Sequence, residues 1–165
     1  MTERFRVVPA VYVLLRRHGD AGSEVLLQLR QNTGYMDGKW AMAAAGHVEA
    51  AESVFEAGCR EAAEELGVRI EPRHLRALCV MHRTGGTGLP IDERVDFFFE
   101  CWQWSSTPRL VESDKTADLR WFPLDDLPEP VVPHERLVLG HVHADTLPPV
   151  VTFGFDATPS RPSSR

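Results

Sequence analysis

At 165 residues, 43% hydrophobic and with four Trp and eight Phe, the chain has enough apolar surface for one sizeable core and too little length for two ordinary domains. That excludes a disordered polypeptide. The formal net charge of −6 has the wrong sign for a broad grip on a nucleic-acid polymer or an anionic membrane.

No apolar run approaches the roughly 18 to 20 residues of a membrane span, and the polar start Met1-Thr2-Glu3-Arg4 lacks a signal-peptide apolar region, so a cytoplasmic location is expected. Cys59, Cys79 and Cys101 are odd in number and widely spaced, and read as buried thiols in a reducing compartment.

In chain order, Val7 to Leu15 is rich in β-branched and aliphatic residues and predicts a strand, followed by a loop at Arg16 to Ser23 and a second strand at Glu24 to Leu29. Residues 32–38 are turn chemistry. Lys39 to Ala45 is a short apolar run into Gly46. Glu52 to Leu66 lacks proline and carries apolar residues at helical spacing, with Gly67 placed as a left-handed cap. Leu75 to His82 and Arg94 to Trp104 predict strands around a glycine-rich loop. Leu119 to Phe122 predicts another strand, and His134 to Val142, after Pro133, a second helix. The expected organisation is one α/β domain over 1–156 with a mixed sheet, and a disordered tail over 157–165.

At about 100° per residue, Phe55, Cys59, Ala62 and Leu66 share one arc of the first helix, which is the expected core face. Glu61, Glu64 and Glu65 share another, with Val54 and Ala57 between them. Such like-charged neighbours repel by a few tenths of a kcal/mol per pair, unless a hard divalent cation sits among them. Oxygen-only ligands favour Mg2+ or Mn2+ over zinc. On the helix alone, the commoner reading of a glutamate-rich face is plain solvation.

The preceding loop shifts the balance. Gly46, five residues, Glu52, seven residues, then Arg60-Glu61-Ala62-Ala63-Glu64-Glu65-Leu66-Gly67-Val68 resembles the signature of the Nudix hydrolases. A pattern with this many fixed positions is far more specific than a lone glycine motif. The resemblance implies an α/β/α sandwich with a mixed sheet. It also implies that Glu61, Glu64 and Glu65 bind metal or activate water, with the carbonyl of Gly46 as a further ligand. Glu52 would tie the loop to Arg60, and Gly67 would close the helix. Departures lie in the approach, where Trp40 runs through Ala41 to Ala45 without a proline. Ala51 stands where the family usually has glycine, and Gly58 lies inside the helix, where glycine costs about 1 kcal/mol relative to alanine.

Beyond the box, the stretch from Glu112 to Pro128 resembles the later segment of nucleotide-cleaving relatives, making Asp114 the first candidate for a further ligand or general base and Glu112 the second. A box glutamate is the other candidate base, and the sequence leaves the choice open. Arg30 is a candidate phosphate contact. Tyr35, Phe98 and Trp121 are candidates to stack on a base, and His134 and Glu135 to read its edge. Trp40 and Phe122 are assigned to packing, and His141 and His143 to structure, because i,i+2 side chains diverge on a helix. The resemblance thus implies hydrolysis of a nucleoside diphosphate linked to another group, foremost a nucleoside triphosphate giving nucleoside monophosphate and pyrophosphate. The expected partner is this small molecule, not a nucleic-acid polymer or a membrane, with a homodimer among the states left open. The alternatives are a silent nucleotide-binding sensor and, ranked last, a diphosphate isomerase needing a cysteine near the metal.

Overall fold

The computed structural model describes residues 4–155, so the expected tail at 157–165 lies outside the described residues. Among these, eight strands and two α-helices occur in the order β1 (Val8–Gly19), β2 (Gly22–Arg30), β3 (Trp40–Met42), β4 (Ala44–His47), α1 (Val54–Leu66), β5 (Arg76–Thr84), β6 (Glu93–Cys101), β7 (Thr116–Pro123), α2 (Pro133–Ala144) and β8 (Val150–Phe153). The strands run β3-β2-β1-β6-β5-β8, with β4 added on β1 and β7 on β2.

β1 organises the sheet because its two halves have different partners. Val8 to Leu15 lies parallel to β6, with β4 antiparallel on its other side, whereas Arg16 to Gly19 pairs antiparallel with the start of β2. The loop expected at Arg16 to Ser23 is therefore mostly hairpin. A strand end whose Arg17 and His18 are exposed shows no apolar alternation, and the half-buried Arg16 is held by Glu100 and Ser23.

Alternation along β1 divides the core. Val11, Val13 and Leu15 join Ala57, Ala62 and Leu66 of α1 on one face. Ala10, Tyr12 and Leu14 join Val138 and Leu139 of α2 on the other. The sheet is covered on both faces, giving the α/β/α sandwich with a mixed sheet. Burying a side chain such as Leu66, 1% exposed, contributes about 1.5 to 3 kcal/mol. No helix among the described residues is long and apolar enough to cross a membrane.

Two expectations for α1 need correction. Phe55 is 40% exposed and reaches the core only through a tilted contact with Phe99 at 5.0 Å. Ala57, expected among the glutamates, is buried. Gly58 is explained by packing: a Cβ there would lie 3.2 Å from both Val13 and Leu75. The glycine lets the helix sit close on β1. All three cysteines are free thiols, with Cys79 and Cys101 buried and Cys59 only partly so.

Candidate active site

The site is assembled where β4 ends and α1 begins. Ser53 caps α1 in a reciprocal pair with Glu56: its hydroxyl accepts the Glu56 N–H, and the Glu56 carboxylate accepts the Ser53 N–H. At the other end Gly67 takes φ 64°, and the N–H groups of Gly67 and Val68 close on Ala63 and Ala62. The loop between β4 and α1 is pulled onto the helix by Arg60. Its guanidinium donates to both oxygens of Glu52 at 2.7 and 3.1 Å and to the carbonyl of His47 at 3.0 Å. Glu52 also accepts the N–H of Glu49. These bonds hold the Glu52 carboxyl below the usual carboxylate range, Arg60 being the larger cause.

The same Arg60 donates to Glu61 at 2.7 Å and to Glu64 at 3.2 Å. Glu61 lies against Gly46, where a Cβ would fall 2.0 to 2.5 Å from its carboxylate. Any larger residue would have to displace the Glu61 carboxylate. Glu65 turns the other way and accepts the Ala45 N–H at 2.8 Å. Burial raises Glu61 despite Arg60, and raises Glu65 to about 8, with Glu61 and Glu112 adding to the push.

Among the described residues no three acidic, His or Cys side chains converge as a ready-made metal cluster, since Arg60 engages two of the glutamates. The donor chemistry nevertheless fits a hard divalent cation. The Glu61 carboxylate packs against Gly46, which carries no side chain to obstruct it, and the buried Glu65 carboxyl is held above its ordinary range, so the donors on offer are all oxygens.

Two adjoining cavities flank this face. One of about 350 Å³ contains Glu65, Glu112, Lys115 and the buried Gln28–Thr116 pair. Glu112, not Asp114, enters it. Asp114 instead lends its carbonyl to Asn32, and its side chain is not part of the wall. Of these two acids the second candidate, not the first, lines the cavity, because register within a loop cannot be read from spacing.

The second cavity, about 490 Å³, meets the first at Arg30 and Ala45 and takes in Gly46, Tyr35, His134 and Glu135. Arg30 is held by Thr33 and the carbonyl of Tyr35. The first turn of α2 is placed by backbone bonds between Trp40 and residues Pro130 and Val132. Glu135 accepts the Met42 N–H and is raised to about 8 by burial. His134 pairs with the Tyr12 hydroxyl at 3.1 Å, and burial pushes it down to about 3.

Phe98 is a correction, for it is 1% exposed and stacked under Tyr12 at 4.6 Å, out of reach of any ligand. Trp121 stacks on Trp104 outside the cavities, while Trp40 packs edge-on against Phe122 as expected. His141 bonds Thr146 beside the end of α2. Cys59 packs on the α1 side of the core, where it offers an isomerase nothing.

Sequence reasoning missed Tyr12, Arg83, Arg94 and Asp96. Arg83, buried in β5, donates to the fully buried Asp96 of β6 at 2.7 Å, and Arg94 stands beside them. The available signal was charge and hydroxyl inside otherwise apolar strands.

Comparison with known proteins agrees with this geometry. The NUDIX domain family model matches residues 6–141. A MutT NUDIX hydrolase from Burkholderia pseudomallei is 32% identical, with 83% of this chain and 98% of that one covered and a TM-score of 0.71. A MutT protein from Bacillus halodurans shares the fold at 19% identity, covering 92% and 94%, TM-score 0.65. So does the NUDIX domain of Shewanella oneidensis NrtR, solved with ADP ribose, at 18% identity, covering 85% and 88%, TM-score 0.67. No curated protein matches the chain. On its box, its fold and these likenesses, the chain belongs to the Nudix family and is a MutT-like pyrophosphohydrolase.

Proposed function

We propose that the chain hydrolyses a nucleoside diphosphate linked to a further group, with nucleoside triphosphates leading and nucleoside monophosphate and pyrophosphate as products. One observation carries this reading: the glutamate face opens, across Ala45 and Arg30, into a cavity of about 490 Å³. Two joined compartments would suit a diphosphate in one and a nucleoside in the next.

Family members generally use divalent metals, and Mg2+ or Mn2+ suits an all-oxygen set. Held by Glu61, Glu64, Glu65 and the Gly46 carbonyl, such an ion would neutralise the diphosphate and acidify the attacking water. The chain's own groups do the positioning. Arg60 and Glu52 lock the loop on the helix, so that Gly46 and Glu61 keep their contact. Glu65 and Glu112 face one cavity as the acceptors for the water's proton. As that proton leaves, the water oxygen bonds to phosphorus, and the anhydride bond breaks with the pyrophosphate oxygen taking the electron pair. Arg30, at the junction, reaches the phosphates as a charge-assisted donor.

The test is a release screen over nucleoside triphosphates, nucleotide sugars and dinucleoside polyphosphates with Mg2+ or Mn2+. Glu64→Gln and Glu65→Gln should each lower turnover by about 10²- to 10⁴-fold, and intact turnover in both would overturn the assignment. The Shewanella domain's ADP ribose supplies the second reading, binding without hydrolysis. Tight binding with no release under either metal would select it, although all three box glutamates are present.

A further inference from the structure

Arg83 and Arg94 stand directly opposite one another in the β5–β6 ladder. Like charges at such a position destabilise a sheet. Both line the larger cavity, and the acid beside them, Asp96, is fully buried and can neutralise only one. Arg83 donates its Nε to Asp96, its only side-chain hydrogen bond among the described residues, so its two terminal nitrogens keep their protons for something else. The Arg94 Nε and Asp96 Oδ1 are both buried without a hydrogen bond, 3.8 Å apart. This part of the wall is therefore rich in donors, sets two guanidinium groups against the one buried acid Asp96, and leaves two buried atoms without a bond.

Among the other groups of the wall, the Ile91 carbonyl accepts from Nη1 of Arg94 at 3.4 Å and Asp92 accepts the Thr87 hydroxyl, and neither bonds the terminal nitrogens of Arg83. His134 is neutral and bonded to Tyr12, and Glu135 is occupied by the Met42 N–H. A planar guanidinium with free terminal nitrogens pairs with two adjacent acceptors, as offered by the O6 and N7 of guanine. Adenine and cytosine present an amino donor at the corresponding edge. Tyr35, 47% exposed at the rim beside Arg30, offers a ring face for stacking.

We propose that Arg83 and Arg94 are specificity-determining residues that take the oxo edge of a nucleobase, so that the substrate class is guanine nucleotides first and uracil or thymine nucleotides second, over adenine and cytosine. This rests on the nucleotide reading above, and the test separates the two. Binding of GMP, AMP, UMP and CMP to the full chain with Mg2+, followed by calorimetry, needs no turnover. GMP should bind about 5- to 150-fold tighter than AMP, and UMP tighter than CMP. The ratio should collapse in Arg94→Gln and in Arg83→Gln/Asp96→Asn, the second removing both charges so that no buried acid is stranded. Arg94→Lys, which keeps the charge and loses the fork, should lose most of the ratio too, and serves if either variant fails to fold. AMP binding as tightly as GMP, no monophosphate binding, or a ratio that survives in the folded variants would each overturn the proposal. A guanine preference without hydrolysis of any triphosphate would uphold it and overturn the reaction reading alone.

Discussion

Replacing Gly46 by alanine separates the site from the fold. The new Cβ would stand 2.0 Å from Oε1 of Glu61 and 2.5 Å from Oε2. Ordinary contact between non-bonded heavy atoms is about 3.5 Å, so the carboxylate must retreat by at least about 1 Å and give up its 2.7 Å bond to Arg60. The obstructing atoms are the far end of a flexible side chain, so the displacement costs the fold little, about 1 kcal/mol at most for one partly buried bond. The chemistry loses more. A misplacement near 1 Å costs about 10²-fold in rate. The expected result is a kcat/KM down by about 100-fold on the substrate from the screen, with a urea midpoint close to wild type. Gly140→Ala is the control, since a Cβ there meets nothing within 4 Å and a helix interior gains up to about 1 kcal/mol from the change. Full activity in Gly46→Ala, or loss of activity only through a collapsed midpoint, would refute the reasoning.

Ala51 holds φ 65°, a left-handed conformation costing a non-glycine residue about 1 to 2 kcal/mol. After the entropy glycine adds to the unfolded chain, Ala51→Gly should stabilise by about 0.5 to 1 kcal/mol, and a lower midpoint would count against the strain. Arg60→Lys should keep a charge and lose the fork between Glu52 and Glu61. Its kcat should fall more than its KM rises, and an unchanged kcat would remove Arg60 from the positioning role. Without metal, stability should fall as pH rises from about 6.5 to 8. Glu65 and Glu135 have folded values raised from 4.5 to about 8, so in that window the folded state binds more protons than the unfolded one and loses stability as they leave. His134, lowered from 6.5 to about 3, acts oppositely through its unfolded form, which is half protonated at pH 6.5, and this one group is outweighed by the two carboxyls. Thermal melts in EDTA at the two ends of the window test this, and Glu135→Gln should flatten the slope; a melting temperature that rises with pH would contradict it.

The sheet was legible wherever both faces of a strand are buried, as in Val8 to Leu15, because a continuous apolar run leaves little else to form. It failed where burial stops. Arg16 to Gly19 is strand because β2 pairs with it, and β8 is four residues lying parallel to β5 across a long stretch of chain. Neither carries a local pattern. α1 was legible to the residue at its C-terminal cap, Gly67, whereas its start, read at Glu52, lies at Val54 behind the reciprocal cap of Ser53 and Glu56. Its wheel misjudged Phe55 and Ala57 because a wheel assumes one covered face, whereas β4 covers α1 on the glutamate side as well.

The same distinction explains the site. The box could be read because its parts lie at fixed offsets on one loop and one helix, and Arg60 ties them through bonds no longer than 3.2 Å. The larger cavity is built by register. Arg83 meets Arg94 across one ladder, Asp96 meets Ala10 across another, and His134 reaches Tyr12 from 122 residues further along the chain. No spacing in the sequence encodes those meetings. What it does hold is the anomaly of charges set inside buried strands, which costs stability unless a partner repays it. Asp96 repays half. The half left over, two buried atoms without a bond beside unengaged guanidinium nitrogens, is what the proposed base choice by β5 and β6 rests on, whereas the proposed cutting rests on the glutamates of α1.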